Sequence, residues 1–490
     1  MANSVSTARG PRGRGTNFLF LIAAACVGSS TLAHAQDLPD PAFNRNFWMP
    51  GWNGSYFLTS LNNEEAKAIA RTSDGSYIVA GRVFDPDSYV GVDIGLVKYG
   101  PEGELDPTFG GLANVHGTPV AGHIGKVLFD AYLTDVTDMT LDSLGRIIVV
   151  GPAPTGPGGD SDFGVVRFLA DGSGVDTSFG GDGGAVVGFN YGGDNNDVPV
   201  SVLTDAQNRV AVVGNISSGT GSCGGQRSIG MTRLDATGVL DTSFGYPSPP
   251  NGRVDLCAGA GNDFFAEGLL IFRGHYAIAA TYGFNVTQTQ MALASIPLSG
   301  DLSQFGSIRP IPLPAGIDSV RTTALALQSP SELIIAGNAL TGNNVPSSAV
   351  VCRIYQTDPS GGNTFFDPTF GPDCYVSPSP DFDTVSSVAV HSDRSVLLVG
   401  DYLSPLAYPR GRTVTLNANG APLPDAAALW QAPRNAVQFL SFRTSFARVI
   451  LDHDLPVVVG YHSDDSASDT DHDFVTLRIM PDRIFANGFD

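Results

Sequence analysis

Apolar residues come along this chain in short dense runs, each closed by a small residue. The runs read IVAG ending at Gly81, IVVG at Gly151, AVVG at Gly214, IIAG at Gly337, LLVG at Gly400 and VVVG at Gly460. A seventh, AIAA ending at Ala280, fills the gap between the third and the fourth. Consecutive apolar positions predict strands buried on both faces, not strands with one wet side. Gly81 and Gly460 lie 379 residues apart over six intervals, a repeat of about 63 residues.

Two more markers recur in phase with the runs. One is LDPTFG (Leu105 to Gly110), VDTSFG (Val175 to Gly180), LDTSFG (Leu240 to Gly245) and FDPTFG (Phe366 to Gly371), with DLSQFG (Asp301 to Gly306) as a worn copy. Between run and marker lies a third stretch: DIGLVKY from Asp93, DFGVVRF from Asp162, SIGMTRL from Ser228, SAVVCRI from Ser348 and DFVTLRI from Asp473. QMALASI from Gln290 and RGRTVTL from Arg410 fill the remaining two units less closely. The connections carry Asp74-Gly75, Glu102-Gly103, Asp171-Gly172, Ser299-Gly300 and Asn419-Gly420, where glycine supplies the positive φ of a tight turn. Each unit thus predicts four short strands, and seven such units predict an all-β, seven-bladed β-propeller. The ends are complementary. Asp40-Pro41-Ala42-Phe43 is a copy of the DPxF marker, and the last unit, DFVTLRIMPDR, lacks one. The N-terminal segment therefore closes the ring beside Asp473 to Ile479, leaving no open edge. An open β-solenoid is the alternative, but it has no use for complementary ends.

The succession DG, aliphatic run, D-F-x-x-x-R, DG and L-D-T-S-F-G resembles the bacterial delta-60 repeat family over residues 40 to 483. That resemblance implies a propeller-like β fold in exported bacterial proteins. It implies no general catalytic activity and no agreed ligand, so no functional residue is carried over.

Residues 1–35 change the picture of where the chain works. Arg9, Arg12 and Arg14 precede the apolar Phe18 to Val27, and Ala33-His34-Ala35 gives a small-x-small cleavage pattern. This is the layout of a secretory signal peptide cleaved after Ala35, with a core too short for a comfortable membrane span. Residues 36–483 then form the repeat domain and 484–490 a short C-terminal tail. The expected product is periplasmic or extracellular, monomeric and not inserted in a membrane. Hydrophobic residues make up 42% and charged residues 15%, with 59 Gly and 33 Pro, a balance that suits strands and turns over helices. Lys and Arg number 27 against 48 Asp and Glu, net charge −21. Such a surface repels phosphate backbones and disfavours nucleic acid.

In an oxidising compartment the four later cysteines read as disulfides, and their proximity favours Cys223–Cys257 and Cys352–Cys374. Their spacing does not suit zinc. A basic residue recurs once per unit at Lys98, Arg167, Arg233, Arg353 and Arg478, and an acid at Asp106, Asp176, Asp241 and Asp367, with Asp40 for the last unit. A group that recurs in this way, absent only from the two units around Ala280 and Gly400, predicts a structural pair. Acidic loops raise calcium as the one cofactor to weigh, with Asp469, Asp471 and Asp473 its candidates. Asp473 shares its repeat position with Asp93 and Asp162, however, which favours a structural role. His391, His453 and His462 each read as turn residues. No G-x-S-x-G or H-E-x-x-H occurs. The functional expectation is a non-enzymatic exported scaffold that binds a protein or glycan through end-face loops. The competing readings are a hydrolase or lyase with its site in the central channel, marked by His, Asp or Arg converging from several blades, and a structural envelope component.

Overall fold

The computed structural model describes residues 38–39, 52–55, 63–84, 91–110, 114–115, 118–119, 126–129, 133–155, 160–190, 195–217, 227–246, 251–257, 262–285, 288–302, 307–341, 345–356, 364–371, 374–377, 382–403, 409–429, 443–463 and 472–480. The chain divides into two units, Met1–His34 and Ala35–Asp490. The first lies outside the described residues, as do residues 40–43, Cys223, Asp469, Asp471 and the C-terminal tail.

The described strands group into seven antiparallel, four-stranded blades, a seven-bladed β-propeller. Blade 1 runs through Glu64–Arg71, Tyr77–Phe84, Val92–Tyr99 and Lys126–Phe129. The first strands of the other six are Asp138–Leu141, Val198–Thr204, Asp263–Phe272, Val320–Ser329, Thr384–Val390 and Arg443–Asp452. Each first strand touches the next around the ring, and the seventh touches the first. The aliphatic runs form the second strands and are buried on both faces; Ile147, Ile148, Val149 and Val150 are all inaccessible to solvent.

Why the runs end in glycine follows from the strand beside them. In six blades the first strand has a local irregularity opposite that glycine, a β-bulge in the pairing register of blades 1, 3, 5, 6 and 7. A carbonyl there turns onto the glycine. A Cβ would lie 2.1 Å from Glu65 O at Gly81, 1.9 Å from Asp135 O at Gly151 and 1.8 Å from Ser445 O at Gly460. Blade 4 has a bulge of the same kind, between Ala266 and Gly268, but carries Ala280; nothing in the structure explains that exchange.

Closure comes from the N-terminal segment. Leu38 pairs with Met480, Pro39 with Ile479, and Trp52–Ser55 runs antiparallel to Leu477 through Phe474. In blade 2 the residue after the arginine, Phe168, bridges the residue before the aspartate, Val175. Ile479 and Pro39 stand in the same relation to Arg478 and Asp40, so the N-terminal segment enters in the register of the repeat.

The recurrent basic side chain fastens one blade to the next. Arg167 Nε donates to Asp176 Oδ2 at 2.9 Å, Nη2 to Ser178 Oγ at 3.0 Å, and Nη1 to the Ala236 carbonyl of blade 3 at 2.7 Å. Its guanidinium lies 4.5 Å from the centre of the Phe179 ring, a cation–π contact in a buried setting. Arg233 repeats this with Asp241, Ser243, the Leu298 carbonyl of blade 4 and Phe244. Arg353 does so with Asp367, the Ala418 carbonyl of blade 6 and Phe370. Arg478 reaches the Pro101 carbonyl of blade 1 at 2.8 Å. Lys98 lies 2.9 Å from Asp106. The phenylalanine rings press on turn glycines of the next blade: Phe109 on Gly172, Phe179 on Gly238, Phe244 on Gly300, Phe370 on Gly420. Those turns need glycine twice over, for a φ between +68° and +84° and for the room the ring takes. Burial works against ionisation of Asp176, but the Ser178 hydroxyl and amide and the Arg167 charge outweigh it and hold the carboxyl below its usual range.

Candidate functional site

The seven first strands enclose a cavity of about 780 Å³, within the range of small-molecule sites. It lies at the end of the ring where first strands begin. Antiparallel pairing brings the end of a second strand (Leu340) and the starts of third strands (Thr289, Pro346) to the same end, and these also line it.

The bulge decides what faces this cavity, because it breaks strict alternation and turns extra side chains inward. The extra residue in each blade is Lys67, Thr137, Val200, Glu267, Thr323, Ser386 or Ala447, and all seven line the cavity. Where it is a hydroxyl, it serves the bulge itself: Thr137, Thr323 and Ser386 donate to the carbonyls of Val150, Ala336 and Val399 on their own second strands. Lys67 and Glu267 stand where a hydroxyl, Val or Ala suffices in other blades. Arg321 likewise occupies a position held by Val198, Phe265, Thr384 and Ser445 and by the acids Glu65 and Asp135, and Arg448 one held by Ala68, Ser201, Gly268, Ala324 and Ser387 and by Asp138. The fold has no need of a charge at these places.

The charged groups form two clusters. In one, Glu65 accepts from Lys67 Nζ at 2.5 Å and from Arg82 Nη2 at 3.0 Å. Asp135 lies beside them; burial raises its pKa, against the lowering pull of Lys67 and Arg82. In the other, spanning blades 4 and 5, Glu267 accepts from Arg321 Nε at 3.2 Å and from Thr281 Oγ1 at 3.4 Å. Burial again prevails and pushes the Glu267 carboxyl up, although Arg321, Thr281 and Arg448 all favour its charged form. The Arg321 side chain is 64% exposed, a high value for a residue on an innermost strand. Arg448 lies 4.0 Å from Asp138, whose oxygens already accept from Met139 N, Ser201 Oγ and Val202 N.

The recurrent pairs stay out of this site: none of Lys98, Arg167, Arg233, Arg353, Arg478 or their acids lines it. Cys352 and Cys374 are joined, with Cα atoms 4.6 Å apart. Cys257 is also disulfide-bonded, while Cys223, its expected partner, lies outside the described residues. Of the calcium candidates, Asp469 and Asp471 lie outside them too, and Asp473 sits in the third strand of blade 7, paired with His462. Among the described residues no group of three or more His, Cys, Asp and Glu is placed to hold a metal. His453 is an exposed turn residue at 82%, but His391 is only 13% exposed and lies 3.8 Å from Asp454, and His462 belongs to a strand. His391 does open a turn, closed by Arg394 N on its carbonyl, so the reading of all three as exposed turn residues is corrected in exposure for His391 and in place for His462. No helix among the described residues is long and apolar enough to cross a membrane.

A family model described as a β-propeller domain of unknown function (DUF5122) matches residues 145–179 and 208–244, most of two adjacent blades from the first turn to the FG marker. The chain is a β-propeller repeat protein. No curated protein matches it. Among solved structures, this propeller is similar to a family PL25 ulvan lyase (11% identity, 85% of this chain and 94% of that one, TM-score 0.45). It is also similar to the polysaccharide lyase Uly1 (10%, 85% and 90%, 0.43) and to an α-L-arabinofuranosidase from Fusarium graminearum (12%, 69% and 91%, 0.40). At such identities and TM-scores the likeness bears on the fold alone and assigns no substrate to this propeller.

Proposed function

We propose that this propeller is an exported binding scaffold that takes its ligand in the central channel. The observation that carries the reading is the convergence of Lys67, Asp135, Glu267, Arg321 and Arg448, from blades 1, 2, 4, 5 and 7, on one cavity. At each of these positions most blades carry a neutral residue, so the repeat does not require the charge. The signal-like residues 1–35 and the disulfides support export. A glycan array probed with the mature chain, and again with Val200→Trp to fill the channel, tests it. Binding by the parent that the tryptophan abolishes is expected. Binding that survives the tryptophan moves the site to the end-face loops.

A second reading, a hydrolase or lyase in the same channel, is favoured by the convergence of Asp135, Arg321 and Arg448 expected to mark it and by one further feature. Two carboxyl groups, Asp135 and Glu267, line the cavity with pKa values raised by burial, the direction that suits a group passing a proton to or from a ligand. Incubating glycans that bind with the parent and with Glu267→Gln separates the two. Release of reducing ends or unsaturated products by the parent, lost in Glu267→Gln while binding remains, makes it an enzyme. Binding without turnover keeps the scaffold.

A further inference from the structure

The cavity has more hydrogen-bond donors than acceptors at one corner. A guanidinium carries five N–H donors in a planar fork. Arg321 makes one hydrogen bond among the described residues, through Nε to Glu267. Arg448 makes none among them; its nearest acid is Asp138 at 4.0 Å. Both side chains line the cavity, and both act on Glu267, which places them on one side of it. Glu267 meets only part of the surplus: its Oε1 serves Arg321 Nε and Thr281, and one carboxylate, with two oxygens, faces the donors of two guanidinium groups. The other cluster differs: there Lys67 and Arg82 share Glu65, with Asp135 beside them.

This corner also lies where the repeat is most worn. Blade 4 lacks the basic residue, having Ser295 opposite Ala277 where blade 2 has Arg167 opposite Ile148, and it has lost the glycine at Ala280. In the same blade a Glu faces the channel, and the next blade answers with Arg321. Loss of a structural motif beside the gain of channel charge is the pattern of a functional site laid over a repeat scaffold.

From this we infer that Arg321 and Arg448 form an anion clamp in the channel for a carboxylate-bearing ligand. The inference rests on the channel reading above. A carboxylate fits because its two oxygens match the planar guanidinium fork. The strongly acidic chain, net −21, would otherwise repel an anion, so unspent guanidinium donors in the channel mark the place where one is received.

The test uses the mature chain and three probes: trigalacturonate, the neutral maltotriose and inorganic sulfate, followed by calorimetry at low and high salt. Trigalacturonate is expected to bind, to weaken with salt, and to bind at least about tenfold more tightly than maltotriose. Arg321→Gln and Arg448→Gln should each weaken it about tenfold with unchanged melting, and Arg321→Lys should recover only part, since the charge stays but the fork is lost. Equal affinity for trigalacturonate and maltotriose overturns the clamp, as does an unchanged affinity in Arg321→Gln or the absence of binding by any of the anions. Sulfate binding as tightly as trigalacturonate overturns the assignment to carboxylate. Val200→Trp separates the two levels. If it removes binding that the arginine substitutions leave intact, the channel stands and the clamp falls. If binding survives it, the channel reading falls. Thr323→Phe serves where Val200→Trp fails to fold.

Discussion

Blades 2, 3 and 5 differ from blades 4 and 6 at one position of the third strand, and the difference shows how this ring divides its labour. Arg167, Arg233 and Arg353 each hold an acid of their own blade and a carbonyl of the next. The same register position is Ser295 in blade 4 and Thr415 in blade 6. The joints after those two blades are held near the channel instead. Thr322 N donates to Thr281 Oγ1 across the blade 4–5 joint. Ser445 Oγ and Phe446 N donate to Asp401 across the blade 6–7 joint, which also gains a parallel bridge between Arg410 and Thr444. Some joints carry both devices: Asn215 ties blade 3 to Ala266 of blade 4, and Asn338 ties blade 5 to Val385 of blade 6. A blade can therefore lose the outer fastening and keep its place in the ring.

Breaking the outer device should cost most. Phe179 is fully buried, stacked on Arg167 and pressed on Gly238. Phe179→Ala should lower stability by about 3–5 kcal/mol in urea unfolding, whereas Thr415→Ala in blade 6 should stay within about 1 kcal/mol.

The inner device can be sharpened through Asp401. It is an acid where the other blades have Arg82, Pro152, Asn215, Thr281, Asn338 and Tyr461, and burial pushes its pKa from 3.8 to about 6 despite the Ser445 and Phe446 donors. A carboxyl raised in the folded state makes the fold bind protons more tightly than the unfolded chain. Stability therefore falls as pH rises from about 4 to 6, by about 3 kcal/mol, and stays low above that. Asp401→Asn, which copies Asn338, should remove this loss: more stable than the parent at pH 7, little different at pH 4. Unfolding free energies across that range check it, and an unchanged slope would place Asp401 outside the effect.

Blade 5 has both devices and a disulfide. Cutting Cys352–Cys374, which closes a loop of 22 residues, should cost about 3 kcal/mol by loop-closure entropy. The Cys352→Ala, Cys374→Ala pair measured against the parent without reductant shows it. The smallest effect belongs to blade 1, where Lys98 replaces the arginine. Its point charge meets Asp106 but, among the described residues, makes no hydrogen bond across to blade 2, so Lys98→Met should cost about 1 kcal/mol.

Much of this architecture was legible because a repeat writes each structural need several times. The glycine after each aliphatic run, the DG turns and the Arg–Asp spacing across a turn report local geometry, and local geometry survives in sequence. The copy of the DPxF marker at Asp40 pointed to closure because its partner strand lacked one; Trp52–Ser55 as a further closing strand carried no such mark. The channel was not legible. Lys67, Asp135, Glu267, Arg321 and Arg448 are far apart in the chain, and the bulge shifts the alternation that would say which way each points. One signal was present: with the seven first strands aligned on the residue that closes each aliphatic run, these positions hold small, apolar or hydroxyl residues in most blades and a charge in only two or three. Departure from the repeat marked the channel, as recurrence marked the fastening.

The division of labour is tested most directly by urea unfolding of Arg167→Gln beside Arg321→Gln. Both remove one guanidinium from a strand of the same ring. Arg167→Gln should lose about 3–5 kcal/mol, because Asp176 and the Ala236 carbonyl lose their buried partner, and Arg321→Gln should stay within about 1 kcal/mol of the parent, because the Arg321 side chain is largely exposed and Glu267 keeps Thr281 as a partner. Equal losses in the two, or a larger loss in Arg321→Gln, would contradict it.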